Sequence, residues 1–203
     1  MLKRKKTNFI KVIGLGLILI STLLTFKYIY EHYKDVQKTE EIIEEFFPDV
    51  VPSPIEEEKI EEIPKVEEKK EFVLTNNYLG YIEFSNYGIK RLIVNGTDKK
   101  VLDKSLVGVY NTSANLDDEF GNVILAGHNN NNVFAKLHYM KVNDPIKIVT
   151  HNNTYDYVVK EKHSIKDNDY SYFKQVKDKK ILTLVTCQNN NKERLIVVAE
   201  LRG

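Results

Sequence analysis

Short β-strand patterns fill the last two thirds of the chain and restrict its fold more than any other feature. Apolar residues alternate with polar ones, or run together over strand lengths, and turn residues separate the segments. The segments are 78–84, 91–96, 122–128, 145–150, 154–161, 180–187 and 194–201, with a hairpin turn predicted at 151–153. Strands this short and numerous close into a barrel or pack as a sandwich. We therefore predict a mainly β domain over residues 72–203.

Helical segments are few in this domain. In the stretch 131–140, Val133, Phe134, Leu137 and Met140 recur at helical spacing, with Asn131 or Asn132 as the N-cap. The long connection 163–179 has room for one more short helix. The sequence thus predicts one or two short helices beside the strands.

The N-terminus predicts a membrane anchor. Residues 3–6 are all Lys or Arg, and the run 12–26 is apolar and uncharged. With the flanking lysine stems, the segment reaches about 20 residues, enough to cross a bilayer core. No small-residue cleavage site follows the run, which argues against a cleaved signal peptide, and the cationic head argues against a buried core helix. We predict a cytoplasmic tail at 1–8 and a transmembrane signal anchor at 9–30, with the remaining chain outside the cell.

Residues 31–71 have a different composition from the rest of the chain. They are rich in Glu and Lys and hold four of the five prolines. A segment with so little apolar surface cannot offset its ordering entropy, so we predict a flexible acidic stalk in which 40–47 could form a turn or two of helix. The net charge of +1 gives no reason to expect nucleic-acid binding.

The only cysteine, Cys187, ends the strand segment 180–187 and begins an asparagine-rich loop. It cannot form an intramolecular disulfide, so it is a buried apolar side chain, an incidental exposed thiol or a nucleophile. A nucleophilic thiol needs a partner that favours the thiolate or transfers protons.

Two residues could act as catalytic partners of the Cys187 thiol. Of the five histidines, His128 ends its own strand segment as Cys187 does, so the two would meet if their strands were parallel neighbours. Six residues separate Cys187 from Arg194, and a hairpin with that loop pairs the two residues across the strands. The alternatives are a loop histidine and a surface arginine beside Glu193.

These motifs resemble those of the sortases, the membrane-anchored cysteine transpeptidases of Gram-positive bacteria. The resemblance rests on TLVTC at 183–187, LAGH at 125–128 and the following Arg194, with VFAKLHYM at 133–140 and VNGT at 94–97 in support. The resemblance covers about residues 78–203. Within the family, the chain resembles a class D-like or class A-like enzyme. The sequence shows no long helical inserts, which argues against the class devoted to haem-uptake substrates. It shows no second apolar segment at the C-terminus, which argues mildly against the pilus-polymerising class.

The resemblance implies a closed barrel of about eight strands and assigns roles. Cys187 would be the nucleophile, His128 the general acid and base, and Arg194 the donor to the oxyanion or substrate carbonyl. Thr186 and Ala126 are predicted to contact substrate. The implied partners are surface proteins with C-terminal sorting signals and an amine acceptor such as a peptidoglycan precursor.

No cofactor is expected from the resemblance. Calcium activates some sortases through acidic loops, and the cluster Asp117, Asp118 and Glu119 is the calcium candidate here. Carboxylates near a tight turn are more typical of a solvated loop.

Two alternative functions remain open from sequence. A surface Cys–His peptidase would pass the acyl group to water rather than to an amine. A non-catalytic β domain for adhesion or assembly would not need a reactive thiol at all.

Overall fold

The computed structural model describes residues 2–47 and 78–202. The chain divides into two units, residues 1–41 and 42–203. The first unit is part of helix α1, which spans Leu2–Phe46. Its segment Ile13–Phe46 is long and apolar enough to cross a membrane, and many of its large apolar side chains are exposed.

Helix α1 extends beyond the predicted anchor. The sequence places the boundary between anchor and stalk at residues 30 and 31, whereas the helix continues to Phe46. Residues 31–46 contain Glu, Lys and Gln, which favour helices, and no proline before Pro48. Most of the predicted stalk, residues 48–71, lies outside the described residues.

Among the described residues, eight strands form a closed barrel in the order β1-β2-β3-β4-β7-β8-β6-β5. Two junctions are parallel, β2 with β3 and β4 with β7, and the rest are antiparallel. The strands are β1 (Gly80–Phe84), β2 (Ile89–Asn95), β3 (Val107–Val109), β4 (Gly121–Ala126), β5 (Pro145–Thr150), β6 (Thr154–Lys166), β7 (Lys180–Gln188) and β8 (Glu193–Leu201). The predicted closed β-barrel is confirmed.

The helices of the barrel domain are short. Helix α2 (Lys99–Leu102) lies between β2 and β3, and 3-10 turns occupy Ser85–Tyr87, Ala135–Tyr139 and Ser171–Phe173. The four residues that recur at helical spacing between 131 and 140 face the core: Val133, Phe134, Leu137 and Met140 are all buried. The predicted N-cap is wrong, because the Asn130 side chain accepts the backbone N–H groups of residues 132 and 133.

Two strands differ from their predicted form. Strand β3 has only three residues and was not predicted. Strand β6 runs to Lys166 instead of ending at 161, because it pairs with β8 along its whole second half after a bulge between Val159 and Glu161. That half was predicted as a connection because exposed polar residues hide its alternation.

The apolar interior of the barrel is continuous. Its largest fully buried side chains include Phe84, Phe134 and Tyr157. A separate cluster lies against the outer face of β1, β2 and β5, where Ile43 of α1 and Phe47, the residue after the helix, pack with Tyr81 and Val149. A third cluster, centred on Ile124, Ile165 and Ile196, includes Tyr172 and Phe173 from the β6–β7 connection.

Candidate active site

His128 and Cys187 emerge at the same edge of the barrel because β4 and β7 are parallel neighbours. Ala126 pairs with Val185, and each strand reaches its polar residue two positions later. Two hydrogen bonds continue the junction: Gly127 N donates to the Val185 carbonyl at 3.1 Å, and Thr186 Oγ1 donates to the Gly127 carbonyl at 2.8 Å. The condition under which the sequence places His128 near Cys187, that their strands are parallel neighbours, is met.

The β7–β8 hairpin brings Arg194 to Cys187. The two residues pair directly across the strands, as predicted from the loop length. Asn189, Asn190 and Asn191 all have left-handed backbone conformations, with φ of 48°, 51° and 68°. Asn tolerates this region better than other non-glycine residues, so the Asn-rich loop can make the tight reversal.

The Arg194 guanidinium is fixed by its own loop. Its Nη1 donates to the carbonyls of Asn191 and Glu193, both at 2.9 Å. Within the part of the chain that the structure describes, Nε and Nη2 have no protein acceptor. Arg194 therefore lines the same cleft as Cys187 with Nε and Nη2 available as donors, an arrangement that can stabilise a developing oxyanion.

One cleft of about 280 Å³ contains all three predicted catalytic side chains. Cys187, His128 and Arg194 are each partly exposed, so substrate can reach them. The other side chains that line the cleft are mainly apolar or aromatic and include Leu102, Tyr110, Ala126, Tyr170, Phe173 and Val185. An apolar groove with a few convergent polar groups suits an extended peptide with apolar residues.

The two predicted substrate contacts differ in their accessibility. Ala126 lines the cleft and is partly exposed, and its contact with substrate stays a prediction. Thr186 is only 2% exposed, and its hydroxyl is bonded to the Gly127 carbonyl. Thr186 thus ties β7 to the residue before His128; it also lines the cleft, and its contact with substrate stays a prediction.

Sequence reasoning missed the polar groups that hold the cleft wall. The buried side chain of Asn122 donates to the carbonyls of Tyr172 and Lys174, and accepts the Thr183 hydroxyl at 2.8 Å. Gln175 donates to the carbonyls of Thr112 and Asn122. These bonds fix the connection that carries Tyr170 and Phe173 into the cleft. The only sequence signal was a polar residue at a strand position.

Asp103 is the second residue that sequence reasoning missed. Its Oδ1 lies 3.1 Å from Nε2 of His128, with 51% of the Asp103 and 38% of the His128 side chain exposed. Asp103 follows helix α2, and its N–H donates to the Lys99 carbonyl at 2.9 Å. No local pattern distinguishes Asp103 from the other acidic residues of the chain.

The acidic cluster considered for calcium has other partners. The Asp117 carboxylate accepts hydrogen bonds from Thr150, Asn152, Asn153 and Tyr155. Partial burial opposes ionisation of Asp117, but these four bonds outweigh it and lower its pKa. The Asp118 carboxylate binds Asn115 instead. Among the described residues, no three His, Cys, Asp or Glu side chains are grouped as metal ligands. Calcium binding at Asp117, Asp118 and Glu119 stays a prediction from the sequence.

The barrel matches known proteins of one family. A family model described as the sortase domain matches residues 82–202. A Clostridium perfringens Sortase D5 transpeptidase is 32% identical, with a TM-score of 0.59, over 64% of this chain and 82% of that chain. Sortase C1 of Streptococcus agalactiae is 30% identical, with a TM-score of 0.59, over 64% of this chain and 70% of that chain.

Other matched structures extend the range of classes. Sortase C of Clostridium perfringens SM101 is 28% identical, with a TM-score of 0.57, over 63% of this chain and 71% of that chain. The matched structures carry class A, C and D names, so the similarity identifies the family rather than a class. Comparison with curated protein sequences gives no match.

Proposed function

Because this chain belongs to the sortase family of cysteine transpeptidases, we propose that it cleaves an LPxTG-like sorting signal and transfers the released acyl group to a cell-wall amine. The observation that carries the proposal is the convergence of Cys187, His128 and Arg194 in one cleft, with Cys187 and Arg194 directly paired across the strands. A class D-like or class A-like specificity stays a prediction within this proposal.

The chemistry has two steps. The Cys187 thiolate attacks the threonine carbonyl of the sorting signal, and Arg194 donates to the oxyanion of the tetrahedral intermediate. The C–N bond then breaks, His128 protonates the departing glycine amine, and a thioester remains on Cys187. An incoming amine attacks the thioester and loses its proton to His128. The C–S bond breaks as the new amide forms, which releases the Cys187 thiolate.

The proposed location is the outer face of the cell membrane. Helix α1 is a candidate anchor, and the basic residues at its start favour an N-terminus inside the cell. The catalytic barrel would then meet secreted proteins that carry sorting signals and the amine acceptors of the cell wall. Peptidoglycan precursors are the acceptor class that we propose.

A peptide exchange assay tests the proposed function. The full chain in detergent micelles is incubated with an LPxTG peptide and an excess of triglycine, and the products are identified by mass spectrometry. We expect the amide-exchanged peptide, and no product from the Cys187→Ala variant. Free acid as the only product would show a peptidase that uses water, and would overturn transpeptidation.

A further inference from the structure

The proposed mechanism uses His128 as an acid and a base, and the structure gives this imidazole a carboxylate partner outside the predicted site. Asp103 Oδ1 lies 3.1 Å from Nε2 of His128. We propose that Asp103 is the positioning residue of His128, fixing Nε2 as its hydrogen-bond donor and leaving Nδ1 to exchange protons at the thiol. This inference rests on the proposed function and adds a residue to it.

Asp103 precedes strand β3 and His128 follows strand β4, and these two strands pair with each other. Asp98 caps helix α2 by accepting the Val101 N–H at 3.0 Å, and the helix ends at Asp103. The chain then enters β3, whose Gly108 pairs with Ala126 of β4, two residues before His128. A short path through β3 and β4 therefore links the carboxylate to the imidazole, which favours a fixed geometry.

Gly108 allows this close arrangement. A Cβ at this position would lie 2.1 Å from the Gly96 carbonyl oxygen, so only glycine lets β3 approach the end of β2. Strand β3 has only three residues, and its place between β2 and β4 sets where α2 and Asp103 lie. The small size of residue 108 is thus part of what places Asp103 beside His128.

The chemistry of imidazole makes the choice of nitrogen matter. A ring nitrogen that donates a hydrogen bond to a carboxylate carries the single N–H proton of the neutral ring. The hydrogen bond therefore fixes the tautomer. With Nε2–H bonded to Asp103, Nδ1 accepts a proton from the attacking amine and returns one to the leaving amine. The proton is gained and lost at Nδ1, and Asp103 keeps its negative charge throughout, as the carboxylate does in other His-centred sites.

The side chains of His128 and Asp103 are 38% and 51% exposed, so solvent screens the charge of the carboxylate. The other charged or titratable groups that line the cleft are Tyr110, Asp167, Tyr170, Cys187 and Arg194. We therefore expect the orienting effect of Asp103 to outweigh its electrostatic one.

The chain contains a matched control. His163 Nε2 lies 2.8 Å from Glu161 Oε2, and 38% of the His163 side chain is exposed, as for His128. This pair stands on β6, and neither residue lines the cleft of Cys187. The Glu161→Gln variant thus removes a similar His–carboxylate pair without touching the proposed mechanism.

The first test measures turnover of the full chain in micelles with an LPxTG peptide and triglycine. We expect Asp103→Ala and Asp103→Asn to lower kcat about tenfold with KM nearly unchanged, because orientation is lost and binding is not. Asp103→Glu should recover part of kcat, and Glu161→Gln should match the unaltered protein. Wild-type kcat in folded Asp103→Asn protein would overturn the proposal.

The second test is independent of the sorting signal, so it separates failure of this inference from failure of the proposed function. Without any peptide substrate, [15N]-histidine NMR reports which ring nitrogen of His128 is protonated. We expect Nε2–H for the neutral ring of the unaltered protein, and a mixture of the two tautomers in Asp103→Ala. Protonation at Nδ1 of the neutral ring in the unaltered protein, or the same tautomer ratio in both proteins, would overturn the proposal.

Discussion

Arg194 shows how one residue acquires a role from its backbone position. The β-ladder places it opposite Cys187, and the carbonyls of its own loop hold Nη1. The side chain therefore loses little freedom when substrate arrives, which is the condition for effective oxyanion stabilisation. A lysine at this position would keep the charge but could not use one nitrogen for the loop and others for substrate.

We predict that Arg194→Lys lowers kcat about 100-fold or more, since losing one oxyanion donor costs roughly that factor. Steady-state exchange of an LPxTG peptide onto triglycine measures the effect. Arg202→Lys, an exposed arginine beyond β8, is the control and should retain full activity. Equal activity of the two variants would contradict the assigned role of Arg194.

Lys180 is a buried cation with a structural role. It is 6% exposed, and its Nζ donates to the carbonyls of Leu116 and Asp118 and lies 3.5 Å from the centre of the Tyr155 ring. Desolvation lowers its pKa below the usual 10.5, although Asp117 and Asp118 oppose the shift. The ammonium group thus holds the acidic β3–β4 loop from inside.

We predict that Lys180→Met lowers the free energy of unfolding by about 1–3 kcal/mol, because the buried Leu116 carbonyl loses its donor. Chemical unfolding of the full chain in micelles, followed by circular dichroism, measures the change. Lys179→Met is the control: its Nζ makes only an exposed ion pair with Glu200. A larger loss for Lys179→Met would contradict the prediction.

The lowered pKa of Lys180 also gives a sign for the pH dependence. Between its folded pKa and 10.5, the unfolded chain binds more protons at this site than the folded protein does. The contribution of Lys180 to the free energy of unfolding therefore rises with pH through that window. The Lys180→Met protein should lack this rise. A rise of the same size in the variant would contradict the assignment.

At the level of elements, the end of α1 packs against the outer face of the barrel within residues 42–203. The ring of Phe47 is 2% exposed, stacks on His151 at 4.4 Å and meets Tyr81 edge-on at 5.7 Å. Its neighbour Phe46 is 43% exposed and contacts Tyr78. Phe47 is therefore the main apolar contact of this helix end.

We predict that Phe47→Ala increases hydrogen exchange of the amides at 43–47 about tenfold or more, because losing a buried ring weakens the docked helix end. Hydrogen–deuterium exchange with mass spectrometry measures this. Phe46→Ala should have a much smaller effect, and kcat of both variants should stay near that of the unaltered protein. Equal exchange in the two variants would contradict the prediction.

The strands that carry the site could be predicted because their signals are local. Alternation identified β4, β7 and β8, and the loop length fixed the pairing of Cys187 with Arg194. Their apolar faces repeat every second residue, and a one-residue slip would expose the core face. The family motifs added the roles of His128 and Arg194.

The remaining parts of the site depend on contacts that are distant in sequence. Strand β3 has three residues and is stabilised by pairing with β2 and β4, so no local pattern reveals it. Asp103 is 25 residues from His128, and Asn122 is about 50 residues from the carbonyls that it binds. Side-chain hydrogen bonds of this kind leave no periodic trace in a sequence.

At the scale of the whole molecule, the chain combines an apolar N-terminal helix with a sortase barrel whose cleft is lined by strands β4, β7 and β8 and by connections between strands. The proposed function requires one chemical event from this arrangement: transfer of a peptide acyl group to Cys187. Every assigned role, from Arg194 to Asp103, acts on that event. The thioester is therefore the central species of the account.

Trapping this thioester on Cys187 tests the proposed reaction. The full chain in micelles is mixed with an LPxTG peptide without an amine acceptor, and its intact mass is measured after acid quenching. We predict a mass increase equal to the peptide up to its threonine, located on Cys187 by fragmentation and lost when triglycine is added. Cleavage of the peptide by the Cys187→Ala protein, or cleavage by the unaltered protein with no adduct on Cys187, would contradict the account.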